Sequence, residues 1–106
     1  MFTINGIIWK VQRIPYQHPL LLMPDGEYAI GVCDRYHKII GISSKLRGGQ
    51  FKEVLCHEIV HAAMYSYNVI FDVETEELIA NIVAKYGHEI ISVTEQMFKR
   101  FKREPW

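Results

Sequence analysis

The stretch that decides the fold is Cys56-His57-Glu58-Ile59-Val60-His61-Ala62, in the middle of an apolar segment that runs from Gln50 to Tyr67. Its apolar residues recur every three or four positions, which is the period of an α-helix with one face in a core. That stripe consists of Phe51, Leu55, Ile59, Ala62 and Ala63. Arg47-Gly48-Gly49 interrupts the chain before the segment, and Asn68 is a suitable C′ residue after it.

The same segment contains an H-E-x-x-H pattern. Residues four apart lie one above the other on a helix, so His57 and His61 project from one face and can share a zinc ion. Glu58 is turned about 100° from His57, which keeps it off the metal but near its open coordination position. We therefore expect a zinc-bound water to be activated by Glu58 as general base. The alternative is a buried histidine pair without metal.

Composition limits the class of protein. The chain has 106 residues, 49% of them apolar and 23% charged, with a formal net charge of zero. These values are typical of one globular domain, and we treat residues 1–106 as a single domain. With no net charge, the protein has no overall electrostatic attraction for nucleic acid or membrane. The N-terminus has no signal-peptide pattern, and we expect a cytoplasmic protein. Cys33 and Cys56 are too few and too far apart for a disulfide framework, and Cys56 is interpreted as a small buried hydrophobe.

The N-terminal half predicts strands. Residues 2–4 and 7–14 are separated by Asn5-Gly6 and alternate apolar and polar side chains from Trp9 onward, which predicts a hairpin or short bulge between two strands. Three prolines make residues 15–26 an extended loop in which His18 is a surface residue. Residues 28–33 and 37–43 predict a second hairpin immediately before the motif helix. One strand would lie at a sheet edge, where an extended peptide could add, unless a loop or a lysine such as Lys38 or Lys45 covers it.

The C-terminal part predicts further helices. Asp72 to Thr75 offers caps for a helix over Glu76–Tyr86, whose core stripe would be Ile79, Ile82, Val83 and Tyr86. Gly87 either ends this helix or is a costly interior glycine, and we favour a kinked or broken pair of helices. Ser92-Val93-Thr94-Glu95 has the form of a capping box for a last helix ending near Lys102. The basic run from Lys99 to Arg103 is interpreted as a solvated helix end, which complements the helix dipole, and not as a nucleic-acid patch.

Catalytic zinc needs a third protein ligand, and the candidates are Glu77, Glu76, Glu74, Asp72 and His88. Glu77 is the best placed, because it shares a face with Asn81, whose amide could orient a ligand. Glu76 would point to solvent, and His88 lies about 16 Å further along a continuous helix. Tyr65, one turn after His61, could donate to an oxyanion, although we favour packing.

The pattern His57-Glu58-Ile59-Val60-His61 followed by Glu77-Leu78-Ile79-Ala80-Asn81 resembles the arrangement of gluzincin metallopeptidases, in particular small ImmA/IrrE-like and phage-borne zincins. The resemblance extends over residues 29–91. It implies His57, His61 and Glu77 as zinc ligands, Glu58 as general base, and the hairpin strand near Ile40 as the edge that binds substrate. Val60 stands where these proteins often have Gly. SprT-like proteins share the start of the motif, whereas a metzincin is disfavoured because its extension requires Gly and His where this chain has Met64 and Tyr67.

The sequence thus predicts an α+β fold, a small zincin-like domain in which a short antiparallel or mixed sheet of three or four strands packs on the motif helix and further C-terminal helices. The predicted activity is hydrolysis of peptide bonds in an unknown protein substrate by a zinc-dependent metallopeptidase. The alternative is a non-catalytic zincin-like module that binds a protein or a nucleic acid.

Overall fold

The computed structural model describes residues 1–103 as a four-stranded mixed sheet and two α-helices, which confirms the predicted α+β class. A short 3₁₀ turn separates the first two strands from the last two. The elements in chain order are β1 (Phe2–Ile4), β2 (Ile7–Ile14), the 3₁₀ turn (Pro19–Leu21), β3 (Gly31–Asp34), β4 (Ile39–Ser43), α1 (Gly48–Ser66) and α2 (Val73–Arg103).

The strands are ordered β1-β2-β4-β3 in the sheet. β1 and β2 form an antiparallel hairpin, and its turn residues Asn5 and Gly6 have φ values of 50° and 76°, the left-handed conformations that a tight hairpin requires. β3 and β4 form the predicted second hairpin. β2 and β4 are parallel, with Val11 opposite Ile40, so the sheet is mixed.

This order corrects one prediction from the sequence. The substrate-binding edge was expected near Ile40, but Ile40 lies on β4, which pairs with β2 on one side and β3 on the other. A strand with two neighbours has no free backbone groups for a peptide. The edge next to α1 is β3, Gly31–Asp34.

The core lies between the sheet and α1. Trp9, Ile40, Ile42 and Leu46 are buried against Ala62 of α1. The predicted stripe residues Phe51, Leu55 and Ile59 pack against this cluster. Trp9 has no exposed surface, and its indole N–H donates to the Ser66 hydroxyl at 2.9 Å. Since Ser66 is the last residue of α1, this bond fixes the end of the motif helix to the sheet.

The helix ends follow local chemistry. α1 begins two residues earlier than expected and ends at Ser66, followed by Asn68 with φ 55°, the left-handed conformation predicted for its C′ position. Asp72 caps α2, because its Oδ1 accepts from the Thr75 N–H at 3.1 Å. A hydrogen bond from the Thr75 side chain, together with this backbone bond, holds the pKa of the Asp72 carboxyl below its usual value.

α2 is a single helix of 31 residues, so the predicted break at Gly87 is wrong. An interior glycine costs about 1 kcal/mol, which the surrounding helical hydrogen bonds outweigh. The predicted capping box at 92–95 is wrong for the same reason, because these residues lie inside the helix. Thr94 instead donates its hydroxyl to the Ile90 carbonyl at 2.8 Å.

The predicted core stripe of α2 is also largely wrong. Ile79 is partly buried, but Ile82, Val83 and Tyr86 are 44%, 37% and 56% exposed. The buried side of α2 is instead formed by Glu76 and Ala80. After its first three turns the helix extends away from the sheet, giving the chain principal dimensions of 58 × 30 × 27 Å. Within residues 1–103, neither helix is both long and apolar enough to cross a membrane.

Candidate metal centre

The structure brings the three predicted ligands together at the junction of α1 and α2. His57 and His61 project from one face of α1, and their Nε2 atoms are 3.2 Å apart. Glu77, at the start of the second turn of α2, places one oxygen 3.3 Å from His57 Nε2 and the other 2.7 Å from His61 Nε2. Among the described residues these three form the group of His, Cys, Asp and Glu side chains whose ligand atoms converge within 4.8 Å.

The donor atoms fit a zinc ion. With bonds of about 2.1 Å to nitrogen and oxygen, a tetrahedral ion separates its ligand atoms by about 3.4 Å. Two of the three distances between ligand atoms, 3.2 and 3.3 Å, are close to this value. The third, between His61 and Glu77, is a hydrogen-bond distance. Two imidazoles and one carboxylate are also the ligand chemistry of catalytic zinc, which leaves a fourth position open.

Glu58 lies in the same cleft and is 8% exposed. Burial raises the pKa of its carboxyl, and the negative charge of Glu77 raises it further. The nearby imidazoles of His57 and His61 act in the opposite direction. A carboxyl group whose pKa is raised in this way accepts a proton more readily than an exposed one, as a general base must.

Glu76 was expected to point to solvent, and this prediction is wrong. It is 8% exposed, and one of its oxygens accepts from the Nδ1–H of His61 at 2.5 Å. A carboxylate behind Nδ1 favours the tautomer with the His61 proton on Nδ1, which leaves the Nε2 lone pair for a metal. The spacing of residues along α2 could not reveal this burial, because it does not show which side of α2 faces α1. The two helices approach closely at Ala80, which has no exposed surface, and this contact sets the orientation of α2.

A second partner of Glu76 was missed entirely by the sequence analysis. Arg35, in the turn after β3, donates a guanidinium N–H to the same Glu76 oxygen and is held over the Tyr65 ring, 6.0 Å from its centre. The buried carboxylate therefore has a cationic partner as well as an imidazole. Only a basic residue directly after the predicted strand signalled this contact, and many surface turns have one.

The other residues considered in the sequence have different positions. Tyr65 packs edge-on against Trp9 with ring centres 6.0 Å apart, and its hydroxyl accepts from Lys38 at 3.3 Å, consistent with the packing role. Asn81 lines the cleft. Cys56 is half-buried and outside the donor group, and His88 is exposed on the extended part of α2.

The donor group opens into a cleft of about 930 Å³ between β3, α1 and the start of α2. Its apolar wall comprises Met23, Ala29, Ile30, Val32, Phe71 and Val73. Cys33 of β3 also lines it, and burial, together with the charge of Glu58, raises the pKa of that thiol to about 12. Cys33 lies outside the group of three converging donors.

Gly31 sets the distance between the edge strand and the motif helix. A Cβ at this position would lie 2.6 Å from a methyl group of Val54 and 3.1 Å from Oε2 of Glu58. A larger residue fits only if the Val54 side chain or the strand shifts. An isolated glycine in a predicted strand is the sequence signal for such a close approach.

Neither a scan against protein-family models nor a search of curated proteins gives a match to this chain.

Proposed function

We propose that this protein is a zinc-dependent metallopeptidase that hydrolyses peptide bonds of a protein substrate. The observation that carries the proposal is the convergence of His57, His61 and Glu77 within 4.8 Å, in a cleft that also contains the buried carboxylate of Glu58. The resemblance of the motif to gluzincins of the ImmA/IrrE-like and phage-borne type supports the same function.

Each residue has a defined part in the reaction. His57, His61 and Glu77 would hold the zinc, which supplies Lewis-acid polarisation and lowers the pKa of water. Glu58 takes the proton from the attacking water and gives it to the leaving amine. Its burial suits the first transfer, because a raised pKa makes the carboxylate a stronger base.

The substrate chain would lie along β3. This strand pairs with β4 on one side, and its residues Gly31 to Cys33 line the cleft on the other. An extended peptide that added to this edge would have main-chain hydrogen bonds, and its scissile carbonyl would lie near the donor group. The apolar wall at Ile30 and Phe71 suits an apolar side chain of the substrate.

The test has two stages. Purified protein should bind zinc at near-unit stoichiometry, and His57→Ala or His61→Ala should abolish binding. Cell proteins incubated with the wild type should then acquire new N-termini that are missing with Glu58→Gln, at a rate lower by about 100-fold or more, as expected for loss of a general base. Glu95→Gln, an exposed carboxylate on α2 that does not line the cleft, is the control and should cleave normally.

The same experiment separates catalysis from the alternative of a non-catalytic interaction module. A module that uses only its zinc or its fold does not depend on a carboxylate beside the metal. If Glu58→Gln retains the full cellular effect of the wild type while zinc remains bound, the peptidase proposal is wrong.

A further inference from the structure

Arg35 and His61 contact the same oxygen of a buried carboxylate. Oε2 of Glu76 lies 2.5 Å from Nδ1 of His61 and accepts a hydrogen bond from the guanidinium of Arg35. The Glu76 side chain is 11% exposed and the His61 side chain 9%, so water reaches little of this contact. Because both partners bind one oxygen atom, the position in which Arg35 holds the carboxylate also determines where the imidazole of His61 is held.

Local contacts fix the direction in which Arg35 points. The residue directly follows Asp34, the last residue of β3. Oδ1 of Asp34 accepts from the backbone N–H of Tyr36 at 3.0 Å and from that of His37 at 3.1 Å, which closes the turn. The carbonyl of Arg35 accepts from the ammonium of Lys38. The turn therefore directs the Arg35 side chain towards α2.

An aromatic ring further limits the orientation of the guanidinium. The central carbon of the Arg35 guanidinium is 6.0 Å from the centre of the Tyr65 ring, and that ring packs edge-on against the buried Trp9. Contact with a ring face restricts how a planar guanidinium can turn. The ammonium of Lys38 lies over the same ring at 4.6 Å. Of these two cations, Arg35 is the one that forms the ion pair with Glu76.

We propose that Arg35 is a positioning residue of the metal centre, which acts through Glu76 to hold the imidazole of His61 in the orientation that a metal requires. Loss of its charge leaves the Glu76 carboxylate buried without its cationic partner, and such a group turns towards solvent or other partners. The imidazole of His61 then loses its fixed orientation, and the affinity for zinc falls. This inference rests on the proposed zinc site of His57, His61 and Glu77, but it does not depend on peptide hydrolysis.

A purely structural role of Arg35 predicts a different result. Its bond to Glu76 also joins the turn after β3 to α2, and loss of that bond can lower the stability of the fold without changing the metal centre. The Arg35 side chain is 44% exposed, which limits this contribution because solvent screens the ion pair. The stability of the metal-free protein and its affinity for zinc are therefore measured separately for each variant.

Competition for zinc against a chromophoric chelator provides the first test. Arg35→Gln should lower zinc affinity by about tenfold, the lower end of the effect of removing a partner behind a histidine ligand. Arg35→Lys retains the positive charge and should recover most of that loss. Arg13→Gln is the matched control, because Arg13 also lies over an aromatic ring of α1, 4.8 Å from the centre of Phe51, but does not line the cleft. This variant should bind zinc as the wild type does.

A double variant tests whether Arg35 acts through Glu76. Glu76→Gln already removes the carboxylate, so adding Arg35→Gln to it should lower zinc affinity by no more than about twofold further. Cobalt in place of zinc provides a second measurement, because its visible absorption depends on the geometry of the ligands. The spectrum should change in Arg35→Gln and should stay as in the wild type in Arg13→Gln.

The outcomes separate this inference from the zinc site on which it rests. If the wild type binds zinc at near-unit stoichiometry and Arg35→Gln binds it as tightly as Arg13→Gln does, this inference alone is wrong. The same conclusion follows if Arg35→Lys is as weak as Arg35→Gln, or if the double variant shows the full product of the two single effects. A wild type that binds no zinc overturns the metal centre, and this inference with it.

Discussion

Replacing Glu76 by Gln tests whether this buried carboxylate positions the metal ligand His61. The carboxylate accepts the Nδ1–H of His61 at 2.5 Å and is 8% exposed, so the bond is charge-assisted and shielded from water. Such hydrogen bonds contribute about 1.5–3 kcal/mol. Gln has the same shape but no charge, and its amide can be oriented to accept the bond or to oppose it. We therefore expect zinc affinity to fall by about 10- to 100-fold, the usual effect of losing a partner behind a histidine ligand.

The assay is competition for zinc against a chromophoric chelator, with the stability of the metal-free protein measured separately. Glu77→Gln removes a ligand and should lower affinity more than Glu76→Gln. Glu74→Gln, in the same turn of α2 but exposed, is the control and should bind zinc as the wild type does. If Glu76→Gln binds zinc like Glu74→Gln, the carboxylate does not support the ligand, and the reasoning is refuted. If Glu76→Gln equals Glu77→Gln, the assignment of Glu77 as the third ligand is refuted.

Three further predictions concern glycines and a thiol. Gly31→Ala should destabilise the fold by about 1–3 kcal/mol and also displace Glu58, lowering peptidase activity per folded molecule. Gly41→Ala, with a Cβ 2.9 Å from Ile14, should lower stability without that second effect, and equal activities in the two variants would contradict the model of the cleft. Because the pKa of Cys33 is raised to about 12 from 9.0, its thiolate is scarcer in the folded state. At pH 8 alkylation of Cys33 should be about 1000-fold slower than in the unfolded chain, and rates within tenfold of each other would count against its burial. Gly87→Ala in the background Val83→Ala, which removes the methyl group 3.2 Å from the new Cβ, should raise the free energy of unfolding by about 0.5–1 kcal/mol if α2 is continuous, and a decrease would indicate a break.

The parts predicted correctly are those controlled by local chemistry. The Asn5-Gly6 turn, the hairpin before α1, the cap at Asp72 and the end of α1 at Asn68 all depend on residues within a few positions of each other. The i, i+4 spacing of His57 and His61 likewise specifies their common face on any helix. These features required no knowledge of the rest of the chain.

The predictions that failed concern which face an element turns inward. Glu76 was assigned to solvent and the stripe around Ile82 to the core, and the structure has the reverse. Both errors have one cause. α2 packs on α1 only through its first turns, so its small buried residue Ala80, and not its apolar stripe, determines the contact. The substrate edge was placed on β4 because a hairpin does not reveal which of its strands gains a further neighbour.

The amino-acid sequence by itself determined the donor types of the candidate metal centre, their helical spacing, and the hairpin that precedes them, because periodicity and turn chemistry act over a few residues. Only the tertiary structure decided that Glu76 and Arg35 lie behind His61, that β3 is the edge strand beside the cleft, and that the apolar side of α2 is left exposed. Those outcomes depend on contacts between residues distant in the chain, such as Arg35 and Glu76, whose proximity follows from how helices and strands pack and not from any local pattern.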